Sequence, residues 1–412
     1  MPAPPGGAGL DPTGRMRHPE EMDTQPLDQL RNRTSIKWRA YPDDVLPLFI
    51  AELDFPLAEP VARALHDAVQ RSDTGYAFAS EHLGEAFAAF ASARWGWRVD
   101  PGQVASTTDV SVAIAESLRQ VIAPGDGVVI NPPIYPPFFD LVPEGGGVVV
   151  EVPLTHTTDA AAASETGPAG QPGGWSIDLP ALEAAFAGGA RAYLLCNPHN
   201  PLGHPHSYDD LAAVAELAAR YDVTVISDEV HAPLTHSDGT FTPYLSVPGA
   251  AEHGICVTSA SKGWNLAGLK CALMVTASAR MRERITAMPE EVGLRTSQFG
   301  LIANITAYEQ GVPWLDEVVA AVQENRTVLA RLLDENLPDV GYIPPHASYL
   351  AWLDLRALGW GDDPSLVAAE KAKVALSPGP AFGSVGRGFA RLNFGCSPEV
   401  LTEAVARLAA AR

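Results

Sequence analysis

Lys262 stands in "TSASKGWNLAGLK" (258–270), among small residues just after the apolar run at 254–257. An amine there is either an ordinary solvated loop lysine or one held for its nucleophilicity. Asp228 closes the apolar run "VTVISDE" (223–229). A carboxylate in such a place is costly unless paired, and read alone it serves equally as a cap for the next loop. Arg391 lies inside the strand-like "GFARLNFG". A buried guanidinium suits bidentate capture of a carboxylate, with a structural salt bridge as the competing reading. "NPHNPLG" (197–203) offers the amides of Asn197 and Asn200 in a proline-stiffened segment, which is also simply a turn.

The elements around these residues predict one shared rim. Between about 100 and 275, short apolar runs alternate with helical patterns: "GVVIN" (127–131), "GVVVEVPL" (147–154), "AYLLCN" (192–197), "VTVISDE" and "GICVTSA" (254–260). In "SYDDLAAVAELAARY", Ser207 and Asp210 have capping-box spacing, and Leu211, Val214, Leu217 and Ala218 share one face. The alternation predicts an α/β domain with a mostly parallel sheet, in which ligands gather outside the carboxyl ends of the strands. The polar clusters 197–203, 228–231 and 259–262 follow strands. Further on, a long amphipathic helix, the strand-like "YLAWLDL" and "FARLNFG", and a terminal helix predict a smaller α+β lobe.

At 412 residues the chain has room for two lobes. No apolar run approaches the roughly 20 residues that span a bilayer. A formal charge of −21 argues against nucleic acid or an anionic membrane as main partner. Cys196, Cys256, Cys271 and Cys396 are far apart with no CxxC pair, so no metal site or disulfide framework is expected; they read as buried thiols of a cytoplasmic protein. The Pro/Gly-rich start reads as a disordered leader, and the Ala/Gly/Thr-rich 155–175 as a flexible surface insertion.

Taken together, Tyr135, "NPLG", Asp228, "SASK" and Arg391 occur in an order that resembles the fold-type I pyridoxal-phosphate enzymes, the aspartate aminotransferase superfamily. The strings "KWRAYPDDVLPLFIAELDFP" (37–56), "NPHNPLG", "SDEVHAPL" (227–234), "SASKGWNLAGLK", "SYLAWLDL" (348–355) and "GPAFGSVGRGFARLNFGCS" (379–397) resemble most closely the MalY/PatB-type cystathionine β-lyases. The resemblance covers about residues 35 to 410. It implies an N-terminal leader and arm over 1–33, a large cofactor-binding domain over 56–305, and a small domain made of 34–55 with 306–412.

The resemblance also assigns roles. Lys262 would carry the Schiff base to the cofactor and then remove the substrate Cα proton. Asp228 would ion-pair with the pyridine nitrogen. Asn200 would bond the ring's phenolic oxygen and border the substrate carboxylate, and Tyr135 would stack on the ring. Ser259, Lys270 and the backbone N–H groups of Val110 and Ser111 would hold the phosphate. Lys270 stands where the superfamily often has arginine. Asp109 stands where it commonly has glycine; beside a phosphate a carboxylate is repulsive, so Asp109 is expected to turn away and cap the helix. Arg391 would clamp the substrate α-carboxylate, with Arg387 a solvated competitor. His231 occupies the place of a tyrosine common in aminotransferases, and a satisfied loop histidine is its bland reading. Tyr76 would reach the neighbouring subunit's phosphate and make the protein a homodimer, or else it is a core tyrosine. The resemblance implies β-elimination from an S-substituted cysteine such as L-cystathionine. Transamination on the same cofactor, or a regulatory pyridoxal-phosphate protein with residual lyase activity, are the alternatives.

Overall fold

The computed structural model describes residues 24–78, 81–156 and 174–412. The expected leader therefore lies outside the described residues as far as 23, and the expected insertion does so over 157–173. The described ends of that stretch pair as a short antiparallel rung, Thr155–His156 against Trp175–Ser176.

Seven strands form the central sheet: β1 (Val104–Thr107), β2 (Gly127–Ile130), β3 (Val148–Glu151), β4 (Ala192–Cys196), β5 (Thr224–Asp228), β6 (Gly254–Thr258) and β7 (Ala272–Val275). Their spatial order is β3-β2-β4-β5-β6-β7-β1, and only β7 runs antiparallel to its neighbours. The run of apolar residues without polar alternation in β4, β5 and β6 is explained by burial of every residue on both faces. Leu194, Ile226 and Ile255 pack on one face with the helix Val110–Val121, and Tyr193, Val225 and Cys256 on the other. β1 and β7 lie outside the expected strands: Val104–Thr107 is half polar, whereas Ala272–Val275 is apolar and buried throughout.

The helices that matter for the site are α1 (Glu59–Gln70), α2 (Glu81–Trp95), α3 (Val110–Val121), α4 (Tyr208–Tyr221), α5 (Gln298–Gln310), α6 (Val312–Asn336) and α7 (Pro398–Ala410). α4 starts where its sequence predicts, with Ser207 Oγ accepting the N–H of Asp210 at 3.0 Å. A second sheet of four antiparallel strands follows: β8 (Gly341–Tyr342), β9 (Leu350–Asp354), β10 (Ser377–Pro378) and β11 (Phe389–Asn393), in the order β8-β9-β11-β10. The chain from residue 46 to 56 bridges the two sheets. Leu46–Pro47 pairs with Val374–Ala375, and the residues after it run over the carboxyl ends of the large sheet.

Among the described residues, no helix is long and apolar enough to cross a membrane. All four cysteines are buried and free.

Candidate active site

Register aligns the reactive groups. Cys196 pairs with Asp228, and Asp228 with Val257, so β4, β5 and β6 end at one level. The loops leaving them carry Asn200, His231 and Lys262 into a common cleft. The Asn200 loop depends on Gly203: at its φ of +58° a Cβ would collide with the Ala347 carbonyl. Lys262 sits in the helical turn Ala260–Gly263, whose first N–H groups are capped by Ser259 Oγ from Ser261 N at 3.0 Å. Two residues on, Trp264 is fully buried between Phe90 and Tyr308, ring centroids 5.4 and 5.5 Å away, and donates to Gly311 O at 2.8 Å. That anchor fixes the turn and therefore the root of the lysine.

Burial sets the charge states. Removal from water raises the Asp228 carboxyl to about 7, opposed by the N–H of Val230 on Oδ1 at 3.1 Å and by Lys262. Burial lowers the Lys262 amine to about 8, with Arg391 adding to the effect and Glu52 and Asp228 opposing it. Near neutral pH the lysine is thus partly uncharged and nucleophilic. Tyr135 lines the cleft, its phenol pushed up by burial and then by Asp228. The His231 ring is held neutral by burial, and its Nδ1 shares a 2.9 Å hydrogen bond with Ser348 Oγ. Such a pairing accommodates both the satisfied loop histidine and a residue facing a ligand.

The opposite wall is made of main chain. Lys262 Nζ donates to Ala51 O at 2.9 Å, and Tyr349 OH donates to the same oxygen at 3.0 Å. Asn265 clasps Leu53 at both its N–H and its carbonyl, at 3.0 and 2.9 Å. Asn393 Nδ2 donates to Ile50 O and Glu52 O, each at 2.7 Å.

Arg391, on β11, joins the two walls. Its Nη1 donates to Asn200 Oδ1 at 2.9 Å, and its Nη2 to Phe49 O at 2.9 Å and Ser377 Oγ at 3.0 Å. The Phe382 ring lies 5.1 Å below the guanidinium. The side chain is buried, its Nε has no partner, and among the described residues no carboxylate pairs with it. The structural salt bridge considered for this arginine is therefore not formed. Desolvation lowers its pKa to about 10, an environment suited to an incoming anion. Arg387 is exposed and paired with Asp362 at 2.9 Å, as a solvated residue would be.

At the far end of the cleft, α3 presents its N-terminus. Val110 and Ser111 line the cleft there, and their N–H groups, in the first turn, have no carbonyl within the helix to bond. Lys270 and Ser259 face the same end. The Ser259 hydroxyl donates to Cys271 O at 2.6 Å. Asp109 departs in part from expectation. It caps α3 through Oδ1, at 3.0 Å from Val112 N, but its Oδ2 stays in the cleft and accepts from Lys270 Nζ at 2.8 Å. The ammonium is what keeps this oxygen from turning out to solvent.

Lys262, Asp228, Asn200, Tyr135, Ser259, Lys270, Val110, Ser111 and His231 thus line one cleft, with Arg391 bonded behind Asn200. Tyr76 stands apart and is 90% exposed, which excludes a core tyrosine within this chain. Sequence reasoning missed Ala51, Phe49, Asn265, Ser348 and Ser377. Ala51 and Phe49 act through backbone carbonyls, and Asn265 and Ser377 bond those of Leu53 and Phe49, which residue type does not reveal. Asn265 and Ser348 have positive φ, +59° and +67°, a local strain invisible in the letters. Together the groups could hold an aromatic aldehyde bearing a phosphate, the pyridoxal phosphate that the resemblance implies: an amine, a buried acid lacking a hydrogen-bonded cation, a ring wall and a helix N-terminus with a lysine.

Known proteins bear directly on this geometry. The family model for aminotransferase class I and II matches residues 43–408. A Mycobacterium leprae protein named as a candidate cystathionine β-lyase is 42% identical over 412 residues, covering 94% of this chain and 97% of its own. The cystathionine β-lyase PatB of Bacillus subtilis is 32% identical, covering 95% of this chain and all of its own. The crystal structure of a candidate pyridoxal-phosphate-dependent β-cystathionase from Corynebacterium diphtheriae superposes with a TM-score of 0.86 at 35% identity, over 95% of this chain and 98% of that one. With a match that spans nearly the whole folded chain, and relatives this similar from end to end, the protein belongs to the class I and II aminotransferase family.

Proposed function

We propose that the protein is a pyridoxal-phosphate-dependent C–S β-lyase. It takes an S-substituted cysteine such as L-cystathionine and, with one water, yields a thiol, pyruvate and ammonia. The observation that carries amino-acid handling is Arg391, a buried guanidinium with an unpartnered Nε and, among the described residues, no carboxylate bonded to it. The choice of β-elimination over transamination rests on the relatives, whose names are those of cystathionine β-lyases.

The site residues divide the work. Arg391 binds the substrate α-carboxylate with Asn200 beside it, exchanging neutral acceptors for a charged one. Lys262 Nζ takes the proton from the substrate Cα, and its lowered pKa, about 8, suits a base operating near neutral pH. Ala51 O, 2.9 Å from Nζ, holds the amine against the main-chain wall of the cleft. When bound, pyridoxal phosphate supplies a ring that withdraws the negative charge left at Cα, which lets the Cβ–S bond break. Asp228 would give that ring a carboxylate partner, Tyr135 would cover it, and Val110, Ser111, Ser259 and Lys270 would hold its phosphate, all of them residues that line the cleft.

Tyr76 and Phe78, 90% and 81% exposed, favour a homodimer in which Tyr76 completes the partner's site. The two sheets support the division into a domain over 56–305 and a second one made of 34–55 with 306–412. Four buried free thiols are in keeping with a cytoplasmic protein.

The test supplies L-cystathionine and pyridoxal phosphate without any keto acid. Equal amounts of thiol and pyruvate are expected. Product formation that requires a keto-acid acceptor, with the carbon–sulfur bond intact, would identify a transaminase instead. Turnover far below that of ordinary enzymes, alongside tight binding to a protein partner, would favour a regulatory role.

A further inference from the structure

Asp109 puts a negative charge at the end of the cleft where every other feature favours an anion. Its two oxygens are both engaged: Oδ1 caps α3 on Val112 N, and Oδ2 accepts from Lys270 Nζ at 2.8 Å. The lysine is not free to move its root. Its backbone has φ +60°, its carbonyl accepts the N–H of Ser297 at 3.0 Å, and Gly300 packs so closely that a Cβ would collide with the Leu269 carbonyl. The Ser259 hydroxyl at the same end is also engaged, with Cys271 O at 2.6 Å. Lys270, the one cation lining this end of the cleft among the described residues, is therefore already paired with a carboxylate of the chain itself.

We infer that Asp109 is an internal counter-anion that competes with the cofactor phosphate for Lys270, so that cofactor binding requires the ammonium to exchange a carboxylate for a phosphate. The inference rests on the reading that this cleft binds pyridoxal phosphate. A phosphate monoester carries close to two negative charges near neutral pH, so it meets both a committed cation and a like charge. The side chains of Asp109 and Lys270 are 32% and 52% exposed, so water screens the effect and keeps it moderate. The carboxylate keeps the cofactor-free site ordered, and it lowers affinity for the phosphate end specifically. A ligand with the same ring and aldehyde but no phosphate should not sense it.

The experiment compares cofactor-free wild type with Asp109→Asn, titrated with pyridoxal phosphate and separately with pyridoxal, read by ligand absorbance. Asparagine is as good an N-cap as aspartate, so the bond to Val112 persists while the charge is gone. Asp109→Ser is a second capping variant, and unfolding midpoints of the cofactor-free proteins verify that both are folded. Both variants should bind pyridoxal phosphate on the order of tenfold tighter than wild type, with pyridoxal affinity unchanged. Unchanged or weaker pyridoxal phosphate binding would overturn the inference, because Asp109 would then be orienting Lys270 toward the phosphate. An equal gain for both ligands would overturn it too. Absence of binding by wild type and variants alike would sink the cofactor reading, and this inference with it.

Discussion

On the sheet side of the cleft, Asp228, Asn200 and Lys262 are delivered by the carboxyl ends of three adjacent parallel strands and their loops, and each acts through its own side chain. On the strap side, residues 49–53 offer mainly backbone oxygens: Phe49 O to Arg391, Ile50 O and Glu52 O to Asn393, Ala51 O to Lys262 and Tyr349. The first wall is rigid because β4 to β6 are buried on both faces. The second is held by side chains from elsewhere, chiefly Asn265 and Asn393. On the function proposed above, reactivity and positioning are thus separated: the sheet wall would own the chemistry, while the other wall bonds the amine and the guanidinium.

The largest way to break that division is on the sheet wall. Lys262→Arg keeps the charge but removes the amine able to accept a proton near neutral pH. Thiol release should fall by at least about 10³-fold, and retention of a tenth of the activity would contradict the role given to Nζ.

Asp228 probes the same wall through pH. Its folded-state pKa is raised to about 7 from an ordinary 3.8, so its contribution to folding is most favourable below the unfolded value and is lost as pH rises through about 7. Asp228→Asn should therefore leave the cofactor-free protein's stability near that of wild type at low pH. At pH 8 the variant should be more stable by roughly 2–4 kcal/mol, read as a difference in denaturant unfolding. An equal difference at both pH values would mean that Asp228 is not buried as described.

The strap wall should respond more gently. Asn265→Ala deletes both bonds to Leu53 and should cost about 1–3 kcal/mol, while lowering thiol release through a misplaced Ala51 carbonyl. Loss of stability with unchanged turnover would show that the strap does not position the lysine. The smallest effect belongs to Lys270→Arg, which keeps the positive charge at the phosphate end and should alter cofactor affinity only a few-fold.

This contrast also explains what the sequence made legible. The parallel sheet was readable because β4, β5 and β6 are apolar throughout, and the clusters after them because ligands gather at strand carboxyl ends. Lys262, Asp228, Asn200 and Arg391 are each ambiguous alone and become legible through the order in which they occur, which is the order of the superfamily they resemble. The strap does not, since a carbonyl belongs to every residue and "LFIAEL" looks like any apolar segment. Asp109 was half legible: its capping follows from its place before an apolar helix, whereas its bond to Lys270 depends on two loops 161 residues apart meeting at one end of the cleft. β1 was hard to read because Val104–Thr107 is half polar and its pairing is decided by the sheet, whereas Ala272–Val275 of β7 is apolar throughout and its composition suited a strand.

Arg391 touches both walls, and its lack of a carboxylate partner among the described residues is the feature on which the proposed amino-acid recognition stands. The most direct measurement is kcat/KM for L-cystathionine against the analogue whose cysteine-half α-carboxylate is an amide, in wild type and in Arg391→Ala. Wild type should prefer the carboxylate by about 10²–10³-fold, the effect of leaving a buried charge unpaired, and Arg391→Ala should show almost no preference. A preference that survives the loss of Arg391 would contradict its assignment and place the carboxylate elsewhere.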